Sequence, residues 1–280
     1  MSESSLTCEA LVRQAAREIG GESPRLDAEL LMEHVTGWSR TSQRAWPERA
    51  VSDAQRSRFD ACVAQRKAGR PVAHILGSQS FWSLSLQVND TTLIPRPDTE
   101  CLVEAALALP LPVTAKVLDL GTGTGAIALA LASERPGWRV VASDAAPGAV
   151  ALARANARSL GLPVTVLASH WFEALPAQQF DLILANPPYI AEGDRHLAEG
   201  DVRFEPRSAL VAGTDGLDDL RLIIAEAPQW LAAGGWLMVE HGYDQAAAVR
   251  ALFAGAGFVA VASGEDYGGN ERYTLGRQSL

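Results

Sequence analysis

An apolar run, DLILA, ends at residues 186–189 on an amide, two prolines and a phenol: Asn186, Pro187, Pro188 and Tyr189. Prolines fix the backbone and carry no amide hydrogen, so carbonyl groups in such a turn lack that internal donor. The Asn186 side-chain oxygen and the Pro187 carbonyl can therefore act as two convergent acceptors. A planar NH2 group offers two donors, and Tyr189 can stack on the plane that carries it. Held in this way, the nitrogen keeps its lone pair free. The chemistry that suits the arrangement is methyl transfer to an amide-type or exocyclic amino nitrogen. No general base is needed first, because the proton becomes acidic only after transfer. The competing reading is a turn that closes a core strand, with Tyr189 as packing.

A second cluster explains where a methyl group would come from. VLDLGTGTGAIALALA places Gly121, Thr122, Gly123, Thr124 and Gly125 directly between a strand and a helix. Glycines there permit a tight turn and close approach of a ligand to the backbone. Asp144 ends the next strand, where a carboxylate can accept both hydroxyls of a ribose. The loop reads G-x-G-x-G rather than G-x-G-x-x-G, with Asp119 just ahead of it. An acidic neighbour suits the cationic S-adenosylmethionine and would be awkward beside a pyrophosphate. A strand-to-helix turn that merely needs glycine is the plain alternative.

Elements must hold these clusters together. From about residue 98 strands and helices alternate: AKVLDL, AIALALASE, WRVVASD, GAVALARANARSL, VTVLAS, DLILA, GWLMVEH, FVAVAS and RYTLG. Short apolar strands alternating with helices predict an α/β fold with a mainly parallel sheet covered on both faces. FVAVAS and RYTLG, separated only by a turn-rich segment, predict an antiparallel pair at one edge. Before this, Leu11, Val12, Ala15 and Ile19, then Leu26, Leu30, Leu31 and Val35, repeat at helical spacing. A further helix is predicted after Ser52, a suitable N-cap, with Phe59, Cys62 and Val63 facing inward. Residues 1–75 thus read as a small helical bundle. In FWSLSLQV, residues 81–88, the strict apolar-polar alternation predicts one half-buried strand, which turns at Asn89-Asp90 and returns as TTLI. The predicted organisation is a helical domain at 1–75, a β-hairpin linker at 76–97 and a catalytic domain at 98–280.

Composition narrows the function classes. The 280-residue chain is 48% hydrophobic and 20% charged, an ordinary globular balance. No stretch of about 18 uncharged apolar residues suggests a membrane span. The opening MSESSLTCEA has neither a basic nor an apolar export region. Cys8, Cys62 and Cys101 are too few and too scattered for a disulfide framework or a zinc site, which fits a reducing cytoplasm and no metal. Residues 1–75 carry 11 basic against 10 acidic side chains, and the remainder 13 against 23. A main domain near −10 argues against direct nucleic-acid binding through phosphates.

The whole pattern resembles the HemK/PrmC family, the protein-(glutamine) methyltransferases of peptide chain release factors. The resemblance spans nearly the full length. It rests on IPRPDTE (94–100), the glycine loop, NPPY, DVRFEP (201–206), MVEHG (238–242) and YGGNERYTLGR (267–277). It implies a class I S-adenosyl-L-methionine-dependent methyltransferase domain with a Rossmann-like sheet, preceded by a substrate-recognition domain. The implied substrate is the glutamine amide of a Gly-Gly-Gln motif; a cytoplasmic monomer is the expectation beside it. On this resemblance Gly121 through Gly125 line the methionine part, Asp144 binds the ribose and Trp171 flanks the adenine. Asn186 belongs to both cofactor and substrate sites, and Asn186 through Tyr189 hold the glutamine amide. Arg96 and Glu100 would shape the active-site wall. One departure is His170, where family members often carry an acidic residue before the Trp. The nearest rival is a ribosomal-protein glutamine methyltransferase; a more distant one is a DNA amino-methyltransferase, which would need a basic recognition region and a flipped base.

Overall fold

The computed structural model describes residues 7–198 and 200–279, the side chains of His196 and Ala198 aside. Most of the opening segment read above for export signals lies outside them. The chain divides into two compact units, residues 1–77 and 78–280.

The first unit is built from α1 (Cys8–Ile19), α2 (Pro24–Thr36), α3 (Arg40–Ala45), α4 (Asp53–Lys67) and α5 (Val72–Leu76). Of the residues at helical spacing, Leu11, Val12, Ala15, Leu31, Val35, Phe59 and Val63 are buried, Ile19, Leu30 and Cys62 are half-buried, and Leu26 is exposed. Each fully buried Leu, Val or Phe contributes about 1.5–3 kcal/mol. The helix ends follow sequence chemistry. Ser52 caps α4 in a reciprocal capping box with Gln55, and Gly37 ends α2 in the left-handed conformation at φ 74°. One carboxylate, Glu29, is buried beside this core. Burial alone would raise its pKa, but hydrogen bonds from Arg44, Arg40 and Arg25 outweigh that and hold it below the usual range.

The second unit opens with a hairpin, β1 (Ser78–Phe81) and β2 (Leu84–Gln87), then α6 (Glu100–Ala108). A seven-stranded sheet follows. It comprises β3 (Lys116–Leu120), β4 (Arg139–Asp144), β5 (Thr165–Ala168), β6 (Phe180–Ala185), β7 (Leu231–Glu240), β8 (Val259–Glu265) and β9 (Glu271–Arg277). Its helices are α7 (Ala126–Glu134), α8 (Pro147–Leu160), α9 (Asp218–Glu226) and α10 (Ala246–Gly255). The strand order is β5-β4-β3-β6-β7-β9-β8, parallel up to β7 and antiparallel for the last two. This is the predicted parallel sheet with an antiparallel edge. Successive residues feed opposite faces: Val117, Leu182 and Met238 pack into one apolar cluster, Leu118, Ile183 and Leu237 into the other.

The hairpin differs from its sequence reading. FWSLSLQV is not one strand, and TTLI does not pair. The turn falls at Trp82-Ser83, with Trp82 in the left-handed region at φ 56°. Two contacts from outside the hairpin hold that conformation: Glu100 Oε1 accepts the Trp82 amide at 2.8 Å and Glu134 Oε1 accepts its indole N–H at 2.7 Å. Asn89 instead makes a local turn, its Oδ1 accepting the Thr91 amide and hydroxyl. The alternating burial survives the turn, because Trp82, Leu84, Leu86 and Val88 all still face inward to some degree. Glu100, expected on an active-site wall, is therefore turned toward the hairpin.

Candidate functional site

Ligands in open α/β sheets bind beyond the carboxyl ends of the strands, where strand order reverses. Here β3 lies between β4 and β6, so the reversal is at β3–β6. Register decides what meets there. Leu120 pairs with Ser143 on one side and with Ala185 on the other, and Ala185 pairs with Val239. Gly121, Asp144, Asn186 and Glu240 each follow one of these residues, so four strand ends deliver them side by side.

Two cavities open at this edge. The larger, about 450 Å3, is lined by Gly121, Gly123, Asp144, Trp171, Asn186 and Pro188, among others. The smaller, about 110 Å3, is lined by Leu93, Arg96, Pro187, Tyr189 and Ile190, with Asn186 again on its wall. The 186–189 segment is thus a partition. Asn186 and Pro188 face the larger space, Pro187 and Tyr189 the smaller, and Asn186 is common to both.

The partition is held from several directions. Asn186 Nδ2 donates to Thr99 Oγ1 at 3.1 Å, and Asn186 Oδ1 is buried with no hydrogen-bond partner. A buried acceptor left open costs about 1–3 kcal/mol, which is a common mark of a place awaiting a donor. Tyr189 Oη donates to Glu240 Oε1 at 3.3 Å, and burial, with the nearby Glu240 charge, pushes the phenol pKa up. Gln245 Nε2 donates to the Tyr189 carbonyl at 3.0 Å. Beyond the segment, the Ile190 amide donates to the Leu210 carbonyl and the Ile190 carbonyl accepts the Ala212 amide. Gly216, at φ 74°, lies so close that a Cβ there would collide with the Tyr189 carbonyl. Gly216→Ala should therefore lower the midpoint of thermal unfolding by several degrees through overpacking of about 1–3 kcal/mol. An unchanged midpoint would show that this backbone yields freely.

The glycine loop is braced by two carboxylates with different jobs. Asp144 lines the larger cavity, its Oδ2 accepting the Gly123 amide and its Oδ1 the Ala146 amide, both at 2.9 Å. Each oxygen keeps a second lone pair for a ligand hydroxyl. Asp119, read from sequence as a neighbour for a cation, is fully buried inside the protein. Its Oδ2 accepts the Thr122 hydroxyl and the Ala128 amide, tying the loop to α7. Burial pushes the Asp119 carboxyl up to about 7 against those hydrogen bonds. With a folded-state pKa above the unfolded value, the folded state holds a proton that the unfolded chain releases. Asp119 therefore favours folding less as pH rises from about 4 to 7. Asn at this position does not titrate and can accept the same two bonds. Urea unfolding of Asp119→Asn should show its stability relative to the parent rising across that window, by a few kcal/mol at most, roughly. A pH-independent difference would remove the buried-acid reading.

The remaining predicted residues divide. Thr122 and Thr124 line the larger cavity with Gly121 and Gly123. Gly125 does not; at φ 89° it starts α7, where a Cβ would press on Leu129 and Ala153. Trp171 is only 8% exposed yet lies on the wall, its ring against Gly121 and its indole N–H donating to Asp219 Oδ1 at 3.1 Å. Arg96 lines both cavities and donates to both oxygens of Glu205, whose side chain is fully buried. Thr99, Glu205, Asp219 and Gln245 were not singled out from sequence. Thr99 and Glu205 do fall inside IPRPDTE and DVRFEP, and Asp219 and Gln245 carry no local signal at all.

The chain is similar to known protein families. Residues 10–77 match the model of the PrmC N-terminal domain and residues 98–202 that of the methyltransferase small domain. A release factor glutamine methyltransferase from Pseudomonas aeruginosa is 59% identical over 256 residues, covering 91% of this chain and 93% of that protein. One from Escherichia coli K12 is 52% identical over 268 residues, covering 95% of this chain and 97% of that protein. Among solved structures, a methyltransferase from Pyrococcus furiosus is similar in fold, with TM-score 0.55 and 17% identity over 80% of this chain and all of the other. With the strand-end geometry and near-full-length identity in agreement, the chain belongs to the release factor glutamine methyltransferase family.

Proposed function

We propose that this protein transfers a methyl group from S-adenosyl-L-methionine to the side-chain amide nitrogen of the glutamine in a release factor's Gly-Gly-Gln motif. The observation that carries the reading is the buried, unpartnered Asn186 Oδ1 on the wall shared by the two cavities. The larger cavity suits the cofactor: its volume is within the range of small-molecule sites, side-chain-free Gly121 and Gly123 bring backbone to its wall, and Asp144 offers acceptors. When bound, S-adenosylmethionine supplies an electrophilic methyl on a sulfonium. Gly121 through Thr124 would hold its methionine part, Asp144 its ribose, and Trp171 would flank its adenine. The smaller cavity, with Tyr189 and Pro187 on its wall, suits a planar carboxamide arriving from the other side.

The amide nitrogen is a poor nucleophile because its lone pair is delocalised. Asn186 Oδ1 and the Pro187 carbonyl would accept its two hydrogens and favour the tetrahedral nitrogen that forms as the N–C bond is made. The bound group would give up its methyl and keep the S–C electron pair, and the amide, still held by Asn186 and Pro187, would release one proton afterward. Positioning supplies much of the remaining rate.

The near-neutral first unit is proposed to recognise the protein substrate and the hairpin to serve as its linker, in an enzyme that acts as a cytoplasmic monomer. Among the described residues no helix is long and apolar enough to cross a membrane. The relatives' names favour release factors over ribosomal proteins, and the acidic second unit disfavours DNA. The test is mass spectrometry after incubation with S-adenosylmethionine and a release factor, a ribosomal-protein fraction or duplex DNA. One added methyl on the Gly-Gly-Gln glutamine is expected. Label only on a ribosomal protein or on DNA would overturn the substrate assignment.

A further inference from the structure

Among the described residues, Leu93, Arg96, Asn186 and Ala209 line both cavities. Arg96 is the one charged side chain of this set. It stands on the wall that carries Asn186, the wall across which the proposed methyl transfer runs. That position raises an electrostatic problem. The cofactor's sulfonium is positive, and an uncompensated guanidinium on the same wall would repel it. Transfer puts the charge on the amide nitrogen until a proton leaves, so the second cavity would meet the same repulsion.

The structure compensates Arg96 from behind. Its Nη2 donates to Glu205 Oε1 at 2.8 Å and to Oε2 at 2.9 Å, and the Ile94 amide donates to the same Oε1 at 3.3 Å. The Glu205 side chain has no exposed surface, whereas that of Arg96 is 34% exposed. A carboxylate taken out of water in this way is costly unless it is paired and hydrogen-bonded. Burial pushes the Glu205 carboxyl up, and Arg96 and the Ile94 amide work against that. Asp144 and Asp219, the acids on the larger cavity, are engaged elsewhere: they accept from the loop amides and from the Trp171 indole. Glu205 itself lines neither cavity, yet its neighbours do. Pro206 and Ser208 wall the larger one, Val202 and Leu210 the smaller. The ion pair therefore also joins the segment before α6 to the segment that closes both spaces.

We propose that Glu205 is a positioning residue that fixes the Arg96 guanidinium and cancels its charge, so that the wall between the cavities presents no net cation to the sulfonium. The inference rests on the methyl-transfer reading above and adds to it a residue that touches no reacting atom.

Binding alone separates this role from plain packing. S-adenosylmethionine and S-adenosylhomocysteine differ in the sulfonium charge and its methyl group, so a change in their affinity ratio between variants reads the charge. In the full chain, Glu205→Gln keeps the shape and an acceptor for the Ile94 amide but leaves Arg96 uncompensated. Calorimetry without substrate should show S-adenosylmethionine weakened about tenfold more than S-adenosylhomocysteine, relative to the parent, a difference of about 1.4 kcal/mol. Replacing both partners, Arg96→Met with Glu205→Gln, removes both charges and should return the ratio to within about twofold of the parent. A merely structural Glu205 would loosen the wall and weaken both compounds alike. Glu205→Ala carries the same expectation and serves if the glutamine variant does not fold. Equal weakening of the two compounds, or a parental ratio in the Glu205 variant, would overturn the proposal. So would a double variant that keeps the raised ratio. A parent that binds neither compound would instead strike at the methyl-transfer reading itself.

Discussion

Replacing Asn186 by alanine is expected to reduce kcat for glutamine methylation by about a thousandfold, the upper range for deleting one preorganised polar group at a reacting centre. The expectation comes from what the substitution removes. Asn186 Oδ1 is a buried acceptor with no partner in the protein, placed on the wall shared by the two cavities. An acceptor held there gains most when the amide nitrogen becomes tetrahedral and its N–H bonds grow polar. Its loss should therefore fall on the transition state more than on either ground-state complex. Cofactor affinity, measured by calorimetry with S-adenosylhomocysteine, should move by no more than about threefold, under 1 kcal/mol. Single-turnover rates with saturating release factor make the decisive comparison. Equal rates in variant and parent would remove the amide-holding mechanism. A large loss of cofactor affinity with an unchanged single-turnover rate would move Asn186 to the cofactor site alone.

Asp144→Ala should act in the opposite way, weakening the cofactor by about 100-fold. Two hydrogen bonds from ribose hydroxyls to a carboxylate contribute about 1.5–3 kcal/mol each, against a partial return from water in the vacated space. A complication is that Asp144 also accepts the Gly123 and Ala146 amides. Its removal loosens the glycine loop as well as the ribose. A cofactor product analogue lacking the ribose hydroxyls separates the two effects. Parent enzyme should lose affinity for it, whereas the alanine variant should bind it no worse than S-adenosylhomocysteine. If parent affinity for the intact cofactor survives the substitution, Asp144 is a loop brace and nothing more.

How far these residues could be read from the chain differs by kind. The strands DLILA and VLDL, the glycine loop between strand and helix, and Asp144 at the next strand end all sit in local patterns. Hydrophobic period, turn chemistry and motif spacing are properties of neighbouring residues. Sheet class followed from the same signals, because short apolar strands separated by helices leave a parallel sheet as the economical packing. The antiparallel edge was equally local, since β8 and β9 are joined by a turn-rich segment.

Register and long-range hydrogen bonding were another matter. The alternation of FWSLSLQV is compatible with one strand or with a turn inside it. The structure turns at Trp82 because Glu100 and Glu134, 18 and 52 residues away, claim its two N–H groups. Asp119 looked like a cavity residue from its place beside the glycines, and only the packing of α7 on β3 shows that it faces inward. Gly125 belonged by motif to the cofactor loop, yet its side-chain-free face is used against Leu129 and Ala153.

The sequence by itself thus determined which groups could do chemistry here: an amide with prolines and a phenol, a glycine loop, and a carboxylate one strand further on. Tertiary structure alone decided which way they point and what supports them. Leu120, Ala185 and Val239 align across β3, β6 and β7, and that register sets Glu240 beside Asn186. Thr99 arrives from the segment before α6 and accepts the Asn186 Nδ2–H. The physical reason is that side-chain type is carried by each residue alone. The orientation of a carboxamide or the charge of a buried acid depends on partners that only the fold brings within about 3 Å.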